Sequence, residues 1–162
     1  MIIRDAVEKD LPAIVAIYNS TIDNRLATAD TQPVSLASRQ IWFEEHSSDR
    51  RPIWVMESNN IIIGWLSFQS FYGRPAYQAT AELSIYVSGE YRRQGVGKKL
   101  LAKAIERSPE LKIDTLLGFI FARNQPSLEL FRQYQFQQWG YLPKVAELDG
   151  IKRDLVIVGR SL

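Results

Sequence analysis

The 162-residue chain contains no cysteine and a single histidine, His46. Without cysteine there can be no disulfide scaffold, no thiolate metal site and no cysteine nucleophile. One imidazole cannot form a clustered-histidine metal site either, so no metal is expected. A strong charge of one sign is also missing. Twenty Lys and Arg stand against eighteen Asp and Glu, a formal charge of +2. A nucleic-acid reader concentrates Lys and Arg in a stripe, and no such stripe is present, so no nucleic-acid partner is expected. No apolar run approaches the 18 or so residues of a membrane span. The opening Met1-Ile2-Ile3-Arg4-Asp5 lacks the pattern of a secretion signal, which makes the cytoplasm the expected compartment.

The remaining composition, 46% hydrophobic and 23% charged, is that of an ordinary globular domain. A chain of this length buries roughly 70% of its extended surface and needs no staple. No linker, repeat or low-complexity tract divides it, so residues 1–162 read as one domain. Strand and helix patterns alternate, which predicts an α/β architecture. A short strand begins at Ile2. Asp10 is placed to cap a helix carrying Pro12, and Ser35 to cap a second one. Two strands, 53–56 and 61–68, flank the turn signal Ser58-Asn59-Asn60.

Residues 79–87 give the clearest alternation: Ala79, Ala81, Leu83, Ile85 and Val87 on one side, Thr80, Glu82, Ser84 and Tyr86 on the other. A helix over 95–107, a strand over 115–121 and a helix over 126–134 follow. Strands over 136–145 and 155–158 complete the pattern, with Asp149-Gly150 as a turn between them.

Between the strand ending at Val87 and the helix beginning near Gly95 lies Arg92-Arg93-Gln94-Gly95-Val96-Gly97-Lys98-Lys99. Glycines at a helix start let free backbone amides approach a ligand, and the helix dipole favours an anion there. The spacing matches neither a Walker loop nor the dinucleotide fingerprint. It fits a phosphate or pyrophosphate site, or a plain glycine turn with a solvated basic end.

Arg92-x-x-Gly95-x-Gly97 resembles the acetyl-coenzyme A loop of the GNAT family of N-acetyltransferases. Tyr18-Asn19, Trp54-Val55-x-Glu57, Gly64-Trp65, Arg74-x-x-Tyr77, Glu82-Leu83-Ser84-Ile85-Tyr86-Val87 and Asn124-x-x-Ser127 follow in the order of its phosphinothricin and methionine sulfoximine acetyltransferase branch. The resemblance covers nearly the whole chain. It implies a mixed, curved sheet with helices on both faces and two central parallel strands that splay to admit acetyl-CoA. Ile85, Tyr86 and Val87 would meet the pantetheine arm. Arg92, Arg93, Gln94, Gly95, Val96, Gly97 and Lys98 would hold the pyrophosphate, with Asn124 and Ser127 near the thioester. Asn124 also reads as a helix N-cap, and the two roles are compatible.

The implied reaction is acetyl transfer to a primary amine of a small amino acid or analogue, by direct attack in a ternary complex. Such a reaction needs a proton acceptor, for which Glu82 is the candidate, and a donor to the developing oxyanion, for which the Val87 amide is the candidate. Arg74 suits a substrate carboxylate, while Phe71, Tyr77, Thr28 and Asp30 are candidate pocket walls. Tyr134 continues its helix's apolar spacing and reads as packing, or as the general acid to the departing thiolate that other acetyltransferase branches place in this helix. Where branch members that inactivate the herbicide carry a histidine near the C-terminus, residues 145–154 carry none, and Gln135 replaces a usual glycine. A homodimer is implied. Rival readings are acetylation of a protein N-terminus or aminoglycoside, or a non-catalytic acyl-CoA module.

Overall fold

The computed structural model describes residues 1–162. Strands β1 (Ile2–Asp5), β2 (Ile53–Ser58), β3 (Ile61–Ser70), β4 (Thr80–Val87), β5 (Thr115–Phe121), β6 (Gln137–Leu148) and β7 (Ile151–Ser161) form one seven-stranded sheet in the order β1-β2-β3-β4-β5-β7-β6. Every neighbouring pair is antiparallel except β4–β5. Helices α1 (Leu11–Ser20), α2 (Leu36–Glu44), α3 (Val96–Arg107) and α4 (Gln125–Gln133) cover the two faces.

The alternation along β4 decides what each face receives. Ala81 and Leu83 join Leu66, Phe68, Leu100, Leu101 and Phe131 in the larger core, beneath α3 and α4. Tyr86 faces the other way, against a smaller core of Ile14, Ile17, Tyr18, Val55 and Trp65 beneath α1. The Trp65 indole donates to the Ile14 carbonyl at 3.1 Å, fixing α1 to the sheet. Gly64 permits the start of α3 to press on β3, since a Cβ there would lie 2.8 Å from Val96 and 3.2 Å from the Tyr86 carbonyl.

Ser35 caps α2 as expected, its hydroxyl accepting from the Ser38 amide at 3.1 Å. Asp10 occupies the N-cap position of α1 but makes no side-chain cap. Its carboxylate accepts instead from the Arg4 guanidinium and the Val7 amide, which ties β1 to the helix and holds its pKa below the usual carboxylate range. The last hairpin is longer than its sequence pattern suggested, because β6 and β7 extend through charged residues such as Lys152 and Arg153.

Two loops are pinned by polar side chains. Asn19 clamps residues 20–33 into a closed loop: its amide donates to the Val34 carbonyl at 3.1 Å and accepts from the Val34 amide at 2.9 Å. The buried Arg51 guanidinium holds both ends of the loop between β3 and β4, donating to Ser70 Oγ at 3.1 Å and the Gln78 carbonyl at 2.7 Å.

Candidate active site

The parallel ladder between β4 and β5 is short. It pairs Thr80, Ala81 and Glu82 with Thr115, Leu116 and Leu117 and then stops, although β4 continues to Val87 and β5 to Phe121. Beyond Glu82 the strands diverge, and β4 is paired only with β3. The direction of its free backbone groups follows from one hydrogen bond. The Ser88 amide donates to the Ile63 carbonyl at 2.9 Å, so in an unshifted antiparallel register Tyr86, Ser84 and Glu82 bond to β3 in the same phase. Leu83, Ile85 and Val87 are in the opposite phase, with their N–H and C=O groups turned into the gap. Ile85 and Val87 thus offer backbone to a ligand in the gap. Tyr86 does not; its backbone serves β3, and its side chain lies on the opposite side from the larger core.

At the mouth of the gap α3 begins. Gly95 caps it at φ +80°, a left-handed conformation that costs a glycine little, and no side chain satisfies the first amides. The first turn holds no acidic residue, while Arg92, Arg93, Gln94 and Lys98 are exposed around it and none of the three cations forms an ion pair. Gly97 lets α3 approach α4, because a Cβ there would sit 3.2 Å from Leu130. The arrangement fits a pyrophosphate: uncapped amides, a positive helix end and unpaired cations.

Asn124 is buried at the head of α4. Its Oδ1 accepts from the Ser127 amide at 3.3 Å, the N-cap reading, and its Nδ2 donates to the Leu26 carbonyl at 3.3 Å. It therefore joins the far side of the gap to the loop of residues 20–33. Tyr134 ends α4 and packs against the larger core.

On the α1 and α2 side of the sheet, a cavity of about 150 Å³ is lined by Tyr18, Arg39 and Trp42 from the helices and by Trp65, Ser67, Gln69, Ser84 and Tyr86 from β3 and β4. Glu82 lies on this face, directly across from Gln69. With its amide oriented to satisfy both neighbours, Gln69 donates to Glu82 Oε2 at 3.1 Å and accepts from Trp42 Nε1 at 3.2 Å. Glu82 is half-buried, and this desolvation raises its pKa above the usual glutamate range. Thr28 and Asp30 meet in the same region, both hydrogen-bonded to the Tyr18 hydroxyl. Burial raises the Tyr18 pKa, and that of Tyr86 more strongly.

Phe71, Arg74 and Tyr77 do not line this cavity. Phe71 and Tyr77 cluster with Tyr72 at ring separations of 4.7 to 5.7 Å, and Arg74 is exposed beside them on the loop held by Arg51. His46 lies beyond the end of α2, its Nδ1 2.7 Å from the Trp42 carbonyl, and burial lowers its pKa. It is outside the cavity. Gln69 and Arg39 carried no sequence signal of their own: Gln69 sits in an apolar strand, and Arg39 reads as one more polar residue of an exposed helix.

Gln69 positions Glu82, and this has a measurable consequence. Gln69→Met keeps the length but removes the donor, leaving the carboxylate less stabilised. A hydrogen bond to a charged group is worth about 1.5–3 kcal/mol, so the Glu82 carboxyl is expected to titrate higher by roughly 1 to 2 pH units, read by NMR. An unchanged titration would assign Gln69 to packing.

A splayed parallel pair, a basic uncapped helix end at its mouth and a desolvated carboxylate on the neighbouring face define an acyl-CoA-dependent transferase. The model of the GNAT acetyltransferase family matches residues 14–136, and the chain belongs to that family. It is 49% identical to the Bacillus subtilis protein named "Putative phosphinothricin acetyltransferase YwnH", over 100% of this chain and 99% of that one. It is 33% identical to an L-methionine sulfoximine/L-methionine sulfone acetyltransferase of Pseudomonas aeruginosa, over 99% of this chain and 94% of the relative. Among solved structures, a GNAT superfamily phosphinothricin acetyltransferase from Sinorhizobium meliloti in complex with acetyl-CoA superposes with a TM-score of 0.93 at 30% identity, covering 99% and 88% of the two chains. The chain is an acetyl-CoA-dependent N-acetyltransferase acting on a small amine, with the mixed curved sheet of that family.

Proposed function

We propose that the acceptor is the α-amine of a small free amino acid or analogue, of the phosphinothricin, methionine sulfoximine or sulfone type, and that Glu82 accepts its proton. The observation that carries this reading is the place of Glu82: half-buried, hydrogen-bonded to Gln69, on the strand whose other edge opens into the cofactor gap. Acetyl-CoA supplies an activated acetyl thioester. Residues 92–98 and the first amides of α3 bind its phosphates, and Ile85 and Val87 offer backbone partners along the gap. The Val87 N–H is a donor to an oxygen that gains charge there. Glu82 takes the ammonium proton directly or through water, and the surrounding aromatic rings keep bulk solvent away. Asn124 keeps the loop of residues 20–33 against this side of the gap.

The small cavity favours a small acceptor over a protein terminus or an aminoglycoside. The relatives named for free amino-acid analogues support the same choice. The reading includes a homodimer, to which the exposed apolar side chains Trp139, Tyr141, Leu142 and Val145 of β6 are available. A panel of free amino acids and analogues, assayed by thiol release from acetyl-CoA, tests the acceptor class. Turnover confined to peptides or aminoglycosides would overturn it.

Within this reading Arg74, exposed on the β3–β4 loop, grips the α-carboxylate when the acceptor arrives. Arg74→Ala is then expected to raise KM for the amino acid by about 10-fold or more while leaving acetyl-CoA affinity unchanged. An equal rise for the corresponding carboxamide would show that Arg74 does not read the carboxylate.

A further inference from the structure

The arginines that hold this fold together all have acceptors. Arg51 bonds Ser70 and Gln78, Arg4 bonds Asp10, Arg25 bonds Asp149, and Arg160 bonds the Tyr134 carbonyl. Arg39 has none. Its guanidinium lies 4.5 Å from the Tyr18 ring centroid and 4.9 Å from that of Trp42, at the wall of the 150 Å³ cavity, and it forms no ion pair. Stacking occupies the face of a guanidinium and leaves its in-plane N–H donors free.

A second group points the same way. Ser67 lines the same cavity, is completely buried, and its hydroxyl has no partner among the protein's own groups. The other fully buried serine, Ser108, donates to the Ala104 carbonyl at 2.6 Å. Leaving a buried hydroxyl unpaired is costly, and this one lines the same cavity as the acceptor-free Arg39. The remaining walls are the rings of Tyr18, Trp42, Trp65 and Tyr86 and the polar side chains of Gln69 and Ser84.

We propose that Arg39 and Ser67 form a subsite for one oxygen-bearing, hydrogen-bond-accepting group of the acceptor molecule. That group is a sulfonyl- or phosphinyl-type oxygen on its side chain where Arg74 holds the α-carboxylate, and the α-carboxylate itself where Arg74 does not. The proposal rests on the reading of the acceptor as an amino acid, and it adds the residues that select among amino acids. The guanidinium edge and the Ser67 hydroxyl donate to the oxygens, while the aromatic walls take the carbon atoms beside them. Gln69 and Ser84 line the same cavity, and Glu82 pairs with Gln69 in register, so a group held there keeps the neighbouring amine on the Glu82 face. The cavity volume admits a carboxylate or a methylsulfonyl group and excludes a sugar or a folded peptide.

Two acceptor pairs test this with wild type and Arg39→Met: an amino acid against its carboxamide, and methionine sulfone against methionine. In Arg39→Met the kcat/KM preference for the oxygen-bearing member is expected to fall by about 10-fold or more in one pair and to persist in the other. The pair that collapses identifies the source of the group. Ser67→Ala should reduce the same preference by a smaller factor, about 2- to 10-fold. Unchanged ratios in both pairs, or an equal loss for all four acceptors, would overturn the subsite. Should Arg39→Met not fold, Arg39→Lys retains the charge without the fork and is read by the same ratios.

A binding arm separates this proposal from the acceptor class. Fluorescence of Trp42 and Trp65 should change saturably on titration with the preferred member in wild type but not in Arg39→Met. Absence of saturation in wild type overturns the subsite. Absence of amino-acid turnover alongside saturable binding overturns the acceptor class and leaves the subsite standing.

Discussion

Replacing Glu82 by Gln is expected to lower kcat at pH 7 by about 10²- to 10⁴-fold while leaving acetyl-CoA affinity intact. An α-amine titrating above neutrality arrives mostly as ammonium, which has no lone pair for attack. Glu82 is the desolvated carboxylate beside the gap, its neighbour Gln69 satisfies one of its oxygens, and His46 is turned away into the end of α2. Because burial raises the Glu82 pKa, its carboxylate protonates at a higher pH than an ordinary glutamate. The wild-type kcat/KM profile should therefore fall on its acid side above the usual glutamate range of about 4.3. In Glu82→Gln that limb disappears. Solvent then deprotonates the amine, so the deficit should shrink as pH rises toward about 9 to 10. A deficit independent of pH would make Glu82 a support for the pocket, and full turnover at pH 7 would remove it from the mechanism.

Gly97→Trp is expected to abolish detectable acetyl-CoA binding by calorimetry. Position 97 lies in the first turn of α3, among its free amides and close in sequence to the exposed Arg92, Arg93 and Lys98. The same substitution also presses on Leu130, since even a Cβ at position 97 meets it at 3.2 Å. Loss of binding must therefore be separated from loss of packing. The pair Arg92→Glu and Lys98→Glu does so: both residues are exposed. Reversing two charges at a pyrophosphate site should weaken acetyl-CoA by at least about 100-fold with the melting temperature unchanged. Wild-type affinity in this double variant would place the phosphates elsewhere.

What the sequence reveals and what it hides follow from the range of the interactions involved. The two faces of β4 are legible because burial imposes a period of two on Ala81 to Val87. The glycine-bearing start of α3 is legible because backbone conformation is a local property. That Ile85 and Val87, and not Tyr86, turn their amides into the gap is not legible. Side-chain alternation says nothing of which edge is paired, and only the Ser88–Ile63 hydrogen bond fixes the phase. Asp10 looks like a cap because cap preference is local, but Arg4 takes its carboxylate from another element. The ends of β6 and β7 escape detection since exposed strands carry no apolar period through Lys152-Arg153-Asp154. Arg39 escapes for a related reason: α2 buries no residue, so nothing in its pattern marks Arg39 as lining the cavity together with Trp42.

The three-residue ladder between β4 and β5 bears on the life of the protein as well as on its chemistry. The sheet is continuous only through Thr80–Glu82 and Thr115–Leu117, and the edges that diverge beyond them lack partners from the chain itself. A coenzyme lying along that edge does what an eighth strand would do. Binding free energy then becomes folding free energy: a ligand present at 100 times its dissociation constant adds about 2.7 kcal/mol to a native state that alone binds it. That is a sizeable share of the roughly 5–15 kcal/mol by which domains of this kind are stable. When acetyl-CoA is scarce, the chain should open more often between its two halves and reach proteases sooner. The metabolic state that limits its turnover would also shorten its survival.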